Sequence, residues 1–121
     1  MPQAEILICD DEPGVRESLK LILDREYALT CVTNGEEALA YLAGHSPAMA
    51  ILDVKMPKMG GLEALREITR RHPALKVLVI SGYESADIAA QAIGLGAAEY
   101  LTKPFDRQTV LATVRTLVGR S

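Results

Sequence analysis

The sequence has little of what several classes of protein require. Of its 121 residues, 13 are basic and 16 acidic, and the net charge is −3. Without an excess of basic residues, we expect no direct binding of nucleic acid. No apolar run approaches the roughly 20 residues of a membrane-spanning helix, and no basic segment followed by an apolar one opens the chain. We therefore expect neither a membrane span nor a signal peptide, and a cytoplasmic location is the default prediction.

Cysteine and histidine are also scarce, with two residues of each. Cys9 and Cys31 lie within apolar runs, and we interpret them as small buried residues in a reducing compartment. A disulfide would require their strands to lie side by side in the right register. Neither cysteine has metal-ligand spacing, and His45 and His72 have no ligand-spaced partner. We interpret both histidines as surface residues.

What the chain does contain is typical of one globular domain over residues 1–121. Hydrophobic residues make up 49% of the sequence and charged residues 24%, which is enough apolar surface for a core. Apolar runs of strand length alternate with segments of helical periodicity. The predicted strands cover residues 5–10, 28–33, 48–53, 76–81 and 98–102. The predicted helices begin at Pro13 and Glu36 and cover about residues 61–71, 84–94 and 106–118.

Five strand–helix units in succession predict an α/β fold with a parallel sheet and helices on both faces. In the first helix, the spacing of Val15 and Leu19 defines an apolar face, with Arg16 turned away from it. Asp106 is a predicted N-cap of the last helix.

Polar residues stand where the apolar runs end. Asp10 and Asp11 follow the first run, Asp53 ends the third, Ser81 ends the fourth and Lys103 follows the fifth. Because the carboxyl ends of parallel strands meet at one edge of the sheet, we expect three carboxylates, a hydroxyl and an ammonium group to gather there. The sequence therefore predicts a ligand site at this edge.

The gathered groups suit a divalent cation and a phosphoryl group. Crowded carboxylates raise the pKa of at least one of them unless a cation intervenes, and Mg²⁺ is a hard ion that takes oxygen ligands. A carboxylate can also act as a nucleophile and carry a phosphoryl group, with Lys103 and Ser81 as partners of the phosphoryl oxygens.

Taken singly, these residues have ordinary structural interpretations. Asp11 could cap the first helix, Lys103 could be a surface lysine, and Ser81 a capping hydroxyl. Tyr100 could be a core aromatic residue.

Four motifs stand in order along the chain. They are Asp10-Asp11, then Leu52-Asp53 with Met56-Pro57 and Gly61, then Ser81-Gly82, and last the run 100–105, Tyr-Leu-Thr-Lys-Pro-Phe. In this combination the chain resembles the receiver domain of a two-component response regulator. The resemblance covers essentially the whole chain. It implies a flavodoxin-like, doubly wound fold of five βα units with the strand order 2-1-3-4-5.

The resemblance also implies roles for individual residues. Asp53 would accept a phosphoryl group from a phosphohistidine of a sensor histidine kinase. The metal ligands for Mg²⁺ would be Asp10, Asp11, Asp53 and the backbone carbonyl of Lys55. Lys103 would pair with the phosphoryl group.

The same resemblance implies a switch in which Ser81 and Tyr100 move inward on phosphorylation. The surface of the fourth helix, fifth strand and fifth helix would then control an output domain or partner, or a phosphorylation-dependent homodimer. Catalysis would be limited to Mg²⁺-dependent self-phosphorylation and autodephosphorylation, so the domain is not expected to be an enzyme. Residues 15–19 resemble receivers of the nitrogen-regulator type, which precede ATPase and DNA-binding modules.

Three other functions compete with this interpretation. A haloacid dehalogenase-type phosphatase places a second aspartate two residues after its nucleophile, where this chain has Lys55 after Asp53. A flavodoxin-like cofactor binder needs a phosphate-binding loop after the first strand, where Asp10, Asp11 and Glu12 would repel a phosphate without a metal. A receiver that only binds partners would not need the complete set of residues.

Overall fold

The computed structural model describes residues 3–53, 60–82, 86–103 and 105–119, and within them five strands alternate with five helices. The strands are β1 (Glu5–Cys9), β2 (Ala28–Val32), β3 (Met49–Asp53), β4 (Lys76–Ser81) and β5 (Glu99–Thr102). The helices are α1 (Pro13–Leu23), α2 (Gly35–Leu42), α3 (Gly61–Arg71), α4 (Ala86–Gly94) and α5 (Arg107–Gly119). The predicted alternation is confirmed.

The strands form one parallel sheet in the order β2-β1-β3-β4-β5, as the resemblance implied. The chain runs from β1 outward to β2 and then returns to place β3 on the other side of β1. The strand order therefore reverses between β1 and β3. In open parallel sheets, ligands bind in the crevice that such a reversal leaves at the carboxyl ends of the strands.

The two faces of the sheet bury separate apolar clusters because successive side chains of a strand point to opposite faces. Leu7 and Cys9 of β1 pack with α2, α3 and α4, whereas Ile6 and Ile8 pack with α1 and α5. Each strand buried on both faces needs a nearly continuous apolar run, which is what the sequence of β1, β3 and β4 provides.

The ends of several elements differ from the sequence prediction by one or two residues, and two helix caps refine it. β1 ends at Cys9, one residue early, although the amide of Asp10 still donates to the carbonyl of Val32 at 3.1 Å. Asn34 caps α2 by accepting a hydrogen bond from the amide of Glu37 at 2.9 Å. Asp106 caps α5 as predicted, since its carboxylate accepts from the amide of Thr109 at 2.7 Å.

Gly96 lies two residues beyond the end of α4 and has a positive φ of 108°. Its amide donates to the carbonyl of Ile93 and the next amide, of Ala97, donates to the carbonyl of Ala92, both at 3.0 Å. This is the Schellman arrangement, which satisfies the last carbonyls of a helix and requires a left-handed residue at this position.

Other predictions concern single residues. Cys9 and Cys31, both in the described part of the chain, are free cysteines, and Cys9 is buried as predicted whereas Cys31 is only half-buried. His45 is exposed and its ring stacks on Tyr41, with the ring centroids 4.0 Å apart. Within the described ranges, no helix combines the length and apolar composition that crossing a membrane would take.

Candidate functional site

The polar residues predicted to gather at one sheet edge occupy the carboxyl ends of four strands. Asp10 and Asp11 follow β1, Asp53 is the last residue of β3, and Ser81 is the last residue of β4. Lys103 follows β5, and its amide donates to the carbonyl of Ser81 at 2.6 Å. Strand pairing therefore fixes the positions of these residues relative to one another along the strand direction.

Four carboxylates converge at this edge. Asp10, Asp11, Glu12 and Asp53 each offer an oxygen, and these oxygens all lie within 4.8 Å of one another. Asp10 and Asp53 are fully buried. Burying two acidic side chains side by side is costly unless positive charge compensates them.

One oxygen of the Asp10 carboxylate accepts a hydrogen bond, and the other accepts none from the described residues. Its Oδ1 accepts from the amide of Glu12 at 2.9 Å, and its backbone carbonyl accepts from the guanidinium of Arg16 at 2.7 Å. Its Oδ2, and Oδ1 of Asp11, are buried and accept no hydrogen bond from the described residues. Buried oxygens without donors are suited to coordinating a cation.

Lys103 places a positive charge within 3.5 Å of three of the carboxylates. Its Nζ lies 3.0 Å from Oε1 of Glu12, 3.2 Å from Oδ2 of Asp53 and 3.5 Å from Oδ2 of Asp10. One ammonium group thus serves three carboxylates, and the lysine side chain is only 17% exposed. The interpretation of Lys103 as an ordinary surface lysine is therefore wrong.

Burial and neighbouring charges shift the pKa values of Asp10 and Lys103. Burial raises the pKa of Asp10 from 3.8 to about 6, and the nearby Asp53 carboxylate adds to the rise, while the Glu12 amide and Lys103 oppose it. Burial lowers the pKa of Lys103, but the hydrogen bond to Glu12 and the charges of Asp53 and Asp10 outweigh burial and raise it. The site therefore holds more negative charge than its one lysine neutralises.

A divalent metal ion fits the residues that are present. The ligand atoms on offer are carboxylate oxygens, which Mg²⁺ prefers, and two of them are buried without a hydrogen bond from the described residues. A bound cation would also offset the charge that burial makes costly.

The family comparison agrees with this geometry. The family model described as "Response regulator receiver domain" matches residues 6–115. The chain belongs to the response regulator receiver family. Its fold and its acidic edge are thus those of a receiver domain of two-component systems, a family that typically uses Mg²⁺ at an acidic pocket.

Individual relatives are similar over nearly the whole chain. The transcriptional regulatory protein FixJ of Azorhizobium caulinodans is 38% identical over 125 residues, covering 100% of this chain and 58% of FixJ. The DNA-binding transcriptional regulator NtrC of Salmonella typhimurium is 37% identical, covering 98% of this chain and 26% of NtrC. The chain thus spans less than two thirds of either relative.

A solved receiver domain has the same fold. The CheY-like response regulator receiver domain protein from Methanospirillum hungatei superposes with a TM-score of 0.92 at 28% identity, covering 98% of this chain and 95% of that one.

Not every residue of the predicted receiver site lies in the acidic cluster. Ser81 is fully buried at the end of β4, at the same edge. Tyr100 is half-buried on β5 and packs against the apolar cluster beneath α2, α3 and α4. This packing fits its interpretation as a core aromatic residue, and its role in a switch stays a prediction. Lys55, Met56 and Pro57 lie outside the described residues.

The structure corrects the sequence analysis at two positions beside the receiver site, Glu12 and Arg16. Glu12, rather than Asp11, occupies the N-cap position of α1, and no side chain caps this helix, so the interpretation of Asp11 as a cap is wrong. Arg16 was predicted to face away from the core, but it is half-buried and donates to the carbonyl of Asp10. The one signal for Glu12 was its position beside an acidic pair at the end of a strand.

Proposed function

We propose that this receiver domain is a phosphoacceptor in a two-component phosphorelay, and that Asp53 takes a phosphoryl group from a phosphohistidine of a sensor histidine kinase. One observation carries the proposal. The buried carboxylate of Asp53 lies 3.2 Å from the ammonium group of Lys103, at an edge that other carboxylates share. The carboxylate proposed as nucleophile, the ammonium group and the oxygens proposed as metal ligands thus lie close enough to act together.

The chemistry follows from these groups. A carboxylate oxygen of Asp53 attacks the phosphorus atom, a P–O bond forms, and the P–N bond to the histidine breaks with its electron pair left on the imidazole nitrogen. Lys103 stabilises the negative charge on the transferring oxygens. The hydroxyl of Ser81 donates to a phosphoryl oxygen after transfer.

The same proposal assigns a magnesium site. Asp10, Asp11, Asp53 and the backbone carbonyl of Lys55 would hold Mg²⁺, although Lys55 lies outside the described residues. The metal ion would neutralise negative charge on the carboxylates and on the phosphoryl oxygens. Arg16 fixes the backbone of Asp10 through the hydrogen bond to its carbonyl, and so keeps the first of these ligands in place.

Phosphorylation is proposed to act as a two-state switch. Ser81 and Tyr100 would move inward, and the surface of α4, β5 and α5 would change its shape. A partner that binds one state better shifts the population toward that state. Candidate partners are a C-terminal output domain, a downstream protein and a second copy of the domain. Because FixJ and NtrC are named as transcriptional regulators, we propose an output that regulates transcription.

Other features complete the proposal. The receiver domain would occupy residues 1–121 of a cytoplasmic protein. It would itself contact neither nucleic acid nor a membrane. Receiver domains are typically not catalytic enzymes, and we propose that catalysis here is limited to Mg²⁺-dependent self-phosphorylation and autodephosphorylation.

Intact-mass spectrometry tests the phosphoacceptor directly. The protein is incubated with Mg²⁺ and either acetyl phosphate or phosphoramidate, beside Asp53→Asn and the exposed control Asp24→Asn. We expect one added phosphoryl group on the wild type and on Asp24→Asn, and none on Asp53→Asn or when EDTA removes Mg²⁺.

An unmodified wild type, even after a fast quench, would contradict self-phosphorylation from small donors. Beryllofluoride titration would then show whether the site accepts a phosphoryl-like group at all. Failure to bind beryllofluoride would leave a receiver that only binds partners.

A further inference from the structure

Glu12 makes the shortest of the three ion pairs of Lys103. Its Oε1 lies 3.0 Å from Nζ, against 3.2 Å for Asp53 and 3.5 Å for Asp10. The two residues come from distant parts of the chain, with Glu12 before α1 and Lys103 after β5. Their contact therefore links the residue before α1 to the residue after β5 at this edge of the sheet.

The surroundings of Glu12 differ from those of its partners. The side chain of Glu12 is 57% exposed, whereas those of Asp10 and Asp53 are fully buried. Its side chain does not cap α1, although it stands at the N-cap position. Contact with Lys103 is thus the interaction that distinguishes Glu12 from an ordinary solvated acid.

We propose that Glu12 is a positioning residue that holds Lys103 at the mouth of the site and competes with the incoming phosphoryl group for it. This inference rests on the proposed phosphoacceptor function. It assigns to Glu12 a restraining role that acts through the lysine.

The physical reason is competition among anions for one cation. Before transfer, the ammonium group of Lys103 donates hydrogen bonds to Glu12 and Asp53 and forms a longer ion pair with Asp10. A phosphoryl group beside Asp53 brings further negative oxygens that need the same donors. Glu12 must share or release the lysine at that moment, and its own charge opposes the approach of an anionic donor. Removing the contact should therefore make phosphorylation faster.

Phosphorylation rates of three variants test this role. Glu12→Gln removes the charge. Glu12→Asp keeps the charge on a side chain that is one methylene shorter, which draws the carboxylate back from Lys103. Glu17→Gln removes an exposed acid of α1 that pairs with Lys20. With Mg²⁺ and phosphoramidate, we expect Glu12→Gln to raise the rate at subsaturating donor about two- to fivefold, the range set by exposed ion pairs. Glu12→Asp should also be faster than the wild type, and Glu17→Gln should match it.

Two results would overturn the inference while leaving the phosphoacceptor function intact. One is a phosphorylated wild type with an equal or slower Glu12→Gln variant. The other is a Glu12→Asp variant at the wild-type rate, because charge rather than contact with Lys103 would then set the rate. A wild type that takes up no phosphoryl group would overturn the proposed function and this inference with it.

A double-mutant cycle tests the contact without phosphorylation. Unfolding in urea is measured for the wild type, Glu12→Gln, Lys103→Met and the double variant. We expect the change in the unfolding equilibrium constant of the double variant to differ about two- to fivefold from the product of the single changes. Changes that multiply exactly as for independent sites would show that Glu12 does not act through Lys103, and would overturn the inference.

Discussion

The ammonium nitrogen of Lys103 lies 3.2 Å from Oδ2 of Asp53, although β4 separates the strands that carry them. The alternation of side chains explains the meeting. Ile51 and Leu101 pack into the cluster beneath α1 and α5, and Asp53 and Lys103 each stand two residues further along. Both side chains are thus directed to the same face of the sheet. A lysine is long enough to reach across the end of the strand between them.

Replacing Lys103 by methionine should destabilise the metal-free protein at pH 7. Two buried carboxylates would lose their shared cation, which we expect to lower the free energy of unfolding by about 1 to 3 kcal/mol. The loss should shrink at pH 5, where Asp10, with its pKa raised to about 6, holds a proton more often. Urea unfolding in EDTA at both pH values measures this.

The matched control is Lys20→Met, which removes an exposed lysine that pairs with Glu17 at 3.4 Å. Its effect on the free energy of unfolding should stay within about 0.5 kcal/mol at both pH values. A Lys103→Met variant as stable as this control would show that the ion pairs of Lys103 contribute nothing to the fold.

Replacing Asp10 by asparagine should stabilise the metal-free protein at pH 7. Burial raises the pKa of Asp10 from 3.8 to about 6 in the folded protein. Between these values the folded state binds more protons at Asp10 than the unfolded state, so its contribution to stability falls as the pH rises from about 4 to 6. Asparagine does not ionise and can still accept the hydrogen bond from the Glu12 amide.

We therefore expect Asp10→Asn to raise the free energy of unfolding by about 1 to 3 kcal/mol at pH 7, with the gain vanishing near pH 4. Urea unfolding in EDTA from pH 4 to 7, beside the exposed control Asp24→Asn, gives the difference at each pH. A gain that is the same at pH 4 and pH 7 would contradict ionisation of Asp10 as its cause.

The sequence predicted most of the fold because the apolar pattern changes period at each element. The nearly continuous apolar runs of β1, β3 and β4 need cover on both faces, and the segments of 3.6-residue spacing that follow each strand supply it. The position of the site followed from the same pattern, since Asp53 and Ser81 stand where apolar runs stop. Element boundaries were less certain, as the early end of β1 at Cys9 shows.

The roles of Glu12 and Arg16 could not be predicted, for a physical reason. Glu12 lies just before α1, and Arg16 lies in its first turn. Both side chains are long and flexible, and charged residues at such positions are ordinarily solvated. A sequence pattern specifies the direction of the Cβ atom, whereas the contact of Glu12 with Lys103 depends on where β5 ends. That contact is a product of the tertiary structure.

Replacing Gly96 by alanine should destabilise the fold through two separable effects. The φ of 108° is a conformation that residues with a side chain rarely adopt. A Cβ atom at this position would also lie 3.0 Å from Cγ2 of Thr69 on α3. We expect the free energy of unfolding to fall by about 1 to 3 kcal/mol, measured in urea. Gly94→Ala is the matched control, because a Cβ there meets nothing within 4 Å.

Thr69→Ser tests one part of the clash, because it removes Cγ2 but keeps the Cβ atom of residue 69, which would lie 3.1 Å from the added Cβ atom. Serine lacks the methyl group but keeps the hydroxyl, which donates to the carbonyl of Leu95 at 2.7 Å in the threonine protein. In the Thr69→Ser background, Gly96→Ala should cost less than in the wild type, yet more than Gly94→Ala, because the positive φ remains. An unchanged cost would mean that the contact with the methyl group of Thr69 contributes nothing, and a cost equal to that of Gly94→Ala would mean that neither the backbone conformation nor the contact with Cβ of residue 69 contributes.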